Sequence, residues 1–155
     1  MDQDKLHFIS SGLIPLLKNT HNKSLPKWGK MNFQQMVEHV ADFFAVSSNK
    51  IQLPLVTPIE YLPKYKEFLL SDRQFRENTK APIEILGEEP LPARSLDIET
   101  AISKLQYQID GFVNYFHHNA GAKTIHPVFG ELNFEEWVLL HYKHVMHHAR
   151  QFGLL

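Results

Sequence analysis

The chain of 155 residues contains no cysteine. Disulfides, thiolate nucleophiles and cysteine zinc sites are therefore excluded, which fits a reducing compartment without proving one. No apolar run approaches the ~20 residues that a membrane-spanning helix needs. Charge of neither sign dominates, with 16 Lys and Arg against 17 Asp and Glu and no basic block. Nucleic acid and anionic membrane surfaces are not expected partners, since either would call for a basic face. The N-terminus, Met1 to Lys5, lacks the basic and apolar regions of a signal peptide, so a cytoplasmic location is expected. There is no Gly-rich phosphate loop, no G-x-S-x-G and no H-E-x-x-H. At 43% hydrophobic and 21% charged residues, the composition is that of an ordinary globular protein. The length predicts a single domain over residues 1–155 with a sizeable core.

Histidine is what the chain has in quantity: ten in all, four of them in the stretch His141 to Gln151. That stretch reads as the last helix of a small bundle. His144 and His148 are four apart and lie one turn apart on one side of a helix. Trp137, Leu140, His141, His144, His148, Gln151 and Phe152 fall on one broad arc expected to face the core. Two imidazoles one turn apart suit a transition metal, since each offers a nitrogen lone pair at a separation the helix sets. Two ligands do not make a site, and His39 offers itself as a third. Without further ligands, a structural role for such histidines is the plainer expectation.

Four helices are predicted in order. The first begins near Asp4, with Leu6, Ile9, Leu13, Leu16 and Leu17 at helical spacing. Pro15 lies inside it and is expected to kink or split it. His7 and His21 are expected to be solvated. The second helix starts after Asn32, whose pairing with Gln35 makes a capping box, and ends near Ser48. His39 sits at the edge of its apolar face. A long connection follows, roughly Asn49 to Arg94, holding six of the nine prolines. It is expected to carry a helical segment from Glu60 to Leu70, with Tyr61, Tyr65, Phe68 and Leu69 inward. It serves either as a passive connector or as a cover over one end of the bundle. The third helix has the seam Ile98, Ile102, Leu105, Ile109, Phe112 and Phe116, and ends at His117 and His118 before Gly121. Those two rings meet the helix dipole and need no other explanation. Thr124 to Gly130 reads as an extended segment and a turn, with His126 near the start of the last helix. Asn133 and Glu136 repeat the capping box there. The last helix also carries Val138, Leu139, Tyr142, Val145 and Met146 on its other face, so it is either central or covered by a partner, which hints at a homodimer.

The segment Trp28 to Asp42, with Trp28, His39 and Asp42 in order, resembles the W…H-x-x-D segment of the DinB/YfiT-like superfamily. His144-x-x-x-His148-x-x-Gln151 resembles the terminal H-x-x-x-H-x-x-Q of that superfamily. Trp28-Gly29-Lys30-Met31 and His126-Pro127-Val128-Phe129-Gly130, ahead of Asn133 to Trp137, resemble a branch of unknown function. The resemblance covers both ends well and the third helix loosely; the middle stretch carries no matching motif.

The resemblance implies an all-α fold: a four-helix bundle, usually dimeric, with a long crossover between helices two and three. It implies a divalent metal, zinc or nickel, held by His39, His144 and His148. Similar proteins include transferases that use low-molecular-weight thiols and proteins described as metal-dependent hydrolases, both acting on small-molecule substrates. His141 and His147 beside the expected pair depart from the pattern. Three neutral imidazoles leave the ion its charge and an open position, and they suit iron and manganese as well as zinc and nickel. Asp42, one turn after His39, either orients a ligand or shuttles a proton, or is simply a solvated helix residue. His141 and Gln151 flank the pair and are expected to contact substrate. The competing expectation is a non-catalytic dimeric bundle that binds a ligand or partner.

Overall fold

The computed structural model describes residues 1–20 and 25–155; His21 lies outside the described residues. The chain is mostly helical. In order come α1 (Gln3–His7), a π-helical turn (Phe8–Gly12), α2 (Leu13–Lys18), α3 (Phe33–Ser47), α4 (Leu62–Leu70), α5 (Ile83–Leu86), α6 (Ile98–His118) and α7 (Phe134–Gln151). Between α6 and α7 lies a two-stranded antiparallel hairpin, β1 (Thr124–His126) and β2 (Gly130–Leu132), with Thr124 opposite Leu132. No helix among the described residues is long and apolar enough to cross a membrane.

Both predicted capping boxes are formed. Asn32 accepts from the Gln35 amide at 2.8 Å while Gln35 accepts from the Asn32 amide at 2.9 Å. Asn133 and Glu136 repeat the exchange at 3.0 Å in each direction. Each box satisfies two amides that a helix start otherwise leaves without partners. At α6 the cap is Asp97, which accepts from the Thr100 amide. All six residues of the α6 seam are buried. They meet α3, where Phe112 packs edge-on against Phe44 at 5.7 Å. Trp137, Phe33, Phe44 and Phe112 are among the largest fully buried side chains and mark the centre of the core.

The predicted first helix is divided, as expected, into α1 and α2. The π turn lies just ahead of Pro15, where the Leu13 amide reaches back five residues to the Phe8 carbonyl. Widening the helix there accommodates a proline that lacks an amide and crowds the carbonyl four residues earlier.

The second apolar face of α7 is covered within the chain. Val138 and Val145 are buried, α1 and the π turn pack on α7, and Phe8 meets Tyr142 edge-on at 5.7 Å. The cover is partial, since Leu139, Tyr142 and Met146 on that face are half-buried. The hairpin corrects the expectation of a single extended segment and so qualifies an all-α description. Its anchor is polar: Trp137 Nε1 donates to Thr124 Oγ1, which donates to the Ser47 carbonyl, both at 2.8 Å.

The helical segment in the connection is present as a 3₁₀ turn (Ile59–Tyr61) leading into α4. Leu69 is buried, but Tyr61 is 54% and Tyr65 39% exposed. Both tyrosines face a cleft rather than packed protein. The connection is clamped at two places. Lys143 donates to the carbonyls of Ser71 and Arg73, and Arg150 to that of Phe75. Further on, Glu38 accepts from the amides of Arg94 and Ser95. The chain between these clamps lines the cleft.

Candidate metal centre

α3 carries His39 to the cleft, and two successive turns in the C-terminal half of α7 bring His144 and His148 against it. The three Nε2 atoms converge. His144 Nε2 lies 2.9 Å from His39 Nε2 and 3.1 Å from His148 Nε2. Ligand nitrogens ~2.0 Å from a tetrahedral ion stand ~3.3 Å apart, so the spacing is close to that of one face of such a site. Among the described residues, these three form the one group of histidine and carboxylate side chains gathered closely enough to hold an ion.

Proton counting supports the same reading. Gln151 Nε2 donates to the Trp28 carbonyl at 2.8 Å, so its Oε1 faces His148 and accepts from Nδ1 at 2.7 Å. His148 Nε2 is then bare and aimed at the cluster. His144 Nε2 has at most one proton to share between two close neighbours while it stays neutral. One of the two contacts is left without a proton of its own, whereas a single cation among the rings satisfies all three lone pairs. The donor set thus fits a divalent metal.

Burial lowers the pKa of His39 to about 4, with repulsion from His147 adding to it. Burial first and neighbouring imidazoles second hold His144 and His148 well below the ordinary histidine range. All three are neutral at pH 7, the form that ligates metal.

The other residues singled out from the sequence have distinct places. Gln151 is buried, borders the cleft and holds His148. Its own partner requires a close backbone approach: Gly29 has φ +79°, and a Cβ there would stand 2.8 Å from Gln151 Nε2. His141 is 1% exposed, bonds Ser47 Oγ at 2.9 Å and stacks on Phe44 at 3.8 Å. It ties α7 to α3 and borders the cleft while offering almost no surface to it. Asp42 lies on the cleft and bonds Arg94 Nη2 at 2.8 Å, with no hydrogen bond to His39 among the described residues. His117 and His118 are exposed at the end of α6.

Two residues escaped the sequence reading. Glu38 is buried on α3 and accepts from Gln34 as well as from the Arg94 and Ser95 amides. Burial alone would raise its pKa, but those amides hold it down, to about 2. Arg94 bridges Glu38 and Asp42. Neither residue belongs to a motif, because their partners come from a connection more than fifty residues away.

His126 closes the hairpin turn, its Nδ1 accepting from the Val128 amide at 3.0 Å and the Phe129 amide at 3.2 Å. Burial lowers its pKa to about 3. With the folded value below the unfolded value of ~6.5, the unfolded chain takes up the proton first. The contribution is complete above pH ~6.5 and is lost as pH falls towards 3, at about 1.4 kcal/mol per pH unit. Urea unfolding in chelator at pH 7 and pH 5 should therefore differ by about 2 kcal/mol from His126 alone. Equal midpoints and slopes at the two pH values would contradict this.

Residues 63–153 match the family described as "Protein of unknown function (DUF1569)". The chain belongs to this family. Within the DUF1569 match lie α4, the clamped connection, α6, the hairpin and α7, and with them His144, His148 and Gln151. His39 and Asp42 precede it. No curated protein and no solved structure matches the DUF1569 chain.

Proposed function

We propose that this protein is a divalent-metal protein of the DinB/YfiT-like kind that acts on a small-molecule substrate, as a thiol-dependent transferase or a hydrolase. The N-terminal helical stretch, α3, α6 and α7 are then the four helices of the bundle, with residues 48–97 as the crossover. The observation that carries the reading is the convergence of three neutral Nε2 atoms at a cleft of about 1450 Å³. A closed structural site has no such opening. His39, His144 and His148 would hold the ion, with zinc or nickel best suited to imidazole ligands. A divalent ion in that position supplies positive charge that lowers the pKa of water or of a thiol. Any thiol must come from outside, since the chain has no cysteine, and a cytoplasmic setting supplies it. Gln151 orients His148 and keeps its proton on Nδ1. The walls of the cleft exclude water from one side of the imidazoles, and Asp42 stands at the rim with its charge matched by Arg94. A homodimer remains part of this proposal, supported by the resemblance and by the half-buried Leu139, Tyr142 and Met146 on α7.

The test is elemental analysis of untagged protein never exposed to chelator, beside the His39→Ala variant. One equivalent of a transition metal, lost in the variant, is expected. Absence of metal, with none taken up from added zinc or nickel, would overturn the metal reading. It would favour a non-catalytic ligand-binding bundle.

A further inference from the structure

We propose that the cleft takes a small molecule with a planar, apolar body and a single metal-binding head, rather than a nucleotide, sugar phosphate or other multiply charged compound. This deepens the metal reading and rests on it for the head group alone.

The body is inferred from the walls. An unbroken line of rings runs from the rim to the imidazoles. Tyr65 meets Phe129 at 5.6 Å, Phe129 meets His126 at 5.2 Å, and His126 meets Phe43 at 5.6 Å. Phe43 then packs edge-on against both His39 at 5.2 Å and His144 at 5.3 Å. A branch leaves Phe129 through Phe75 and His147 to Trp28. All of these residues line the cleft. Around them Tyr61, Ile83 and Leu91 also line it and are 54%, 61% and 53% exposed. Apolar surface gathered around one concavity marks a place where apolar matter binds.

The charges argue the same way. The guanidinium of Arg94 is taken by Asp42 and Glu38, Lys30 by Glu89 at 2.5 Å, and Arg73 by Glu67 at 3.7 Å. The remaining cationic side chains on the lining, Lys64 and Lys80, are exposed. A phosphate-bearing ligand is ordinarily met by uncommitted guanidinium or amide donors, and among the described residues no guanidinium on the lining is left uncommitted. One polar atom in the wall is unsatisfied. His147, between Trp28 and Phe75, is 5% exposed, and its Nδ1 has no hydrogen-bond partner.

The experiment compares two hydroxamic acids that share a head and differ in body. Benzohydroxamic acid and acetohydroxamic acid are titrated calorimetrically into zinc-loaded full-length protein. In parallel, N-phenyl-1-naphthylamine, a neutral fluorescent probe, is titrated into chelator-treated protein. Benzohydroxamate should bind at least about tenfold more tightly than acetohydroxamate, the effect of burying one phenyl ring. The naphthylamine should bind saturably without metal. Tyr65→Asp, at an exposed position, should weaken both aromatic probes several-fold and leave zinc stoichiometry unchanged. Naphthylamine binding by protein that takes up no zinc would sink the metal reading and support the apolar cleft. Zinc uptake with equal hydroxamate affinities and no saturable naphthylamine binding would overturn the proposal. So would loss of probe binding as protein concentration rises and the chain dimerises, because the cleft would then be covered by a second copy.

Discussion

His144→Ala is expected to lose metal while remaining folded. His144 stands between the other two ligands, so its removal leaves a pair whose nitrogens no longer surround one point. Structural zinc sites bind with about 10–16 kcal/mol over four ligands, so one imidazole is worth roughly 3 kcal/mol, or about a hundredfold in affinity. His148→Ala should do the same, with Gln151 left without its acceptor role. The fold should survive both changes, since the α7 contacts that hold it lie at Trp137, Val138, His141 and Val145, all buried. A competition titration against a chromophoric chelator, with circular dichroism on the same samples, measures both halves. Parental zinc affinity in either variant would remove the assignment.

The second large effect is expected at Glu38. Its carboxylate receives the amides of Arg94 at 2.9 Å and Ser95 at 2.8 Å just ahead of α6. Hydrogen bonds to a charged acceptor contribute about 1.5–3 kcal/mol each, and an amide left buried without a partner costs more than the bond itself was worth. Glu38→Ala should lower stability by about 3 kcal/mol. The sign of the pH dependence follows from the lowered pKa of Glu38. The folded value of about 2 lies below the ordinary glutamate value of 4.5, so the stabilisation is present above pH ~4.5 and fades as pH falls through 2. The variant should also loosen the connection where it meets α6, seen as earlier cleavage between residues 76 and 94 in limited proteolysis. Unchanged urea midpoint and cleavage pattern would contradict this role.

How much of this was legible in the residues depends on how local the determinant is. The two capping boxes span four residues each, and both are formed as read. The α6 seam follows one helical period over six positions, all buried. His144 and His148 share a face for the same reason. His39 needed the order of motifs along the chain, because its partners are about a hundred residues away. Glu38 and Arg94 had no such pattern and stayed hidden. The hairpin was missed because strands of three residues are too short to show alternation. Tyr61 and Tyr65 were read as inward because periodicity reports which face is apolar, and not whether a wall or a cleft stands opposite. The second face of α7 was read as a dimer surface for a related reason: apolar character calls for cover, and here α1 and the π turn of the same chain provide part of it.

The measurement that bears most directly on the central claim is X-ray absorption at the zinc edge on protein loaded with one equivalent of zinc. Three imidazole nitrogens at about 2.0 Å with one further light-atom ligand are predicted. A shell with one imidazole or none, or a six-oxygen environment, would show that the metal sits elsewhere and that the three converging histidines do not bind it.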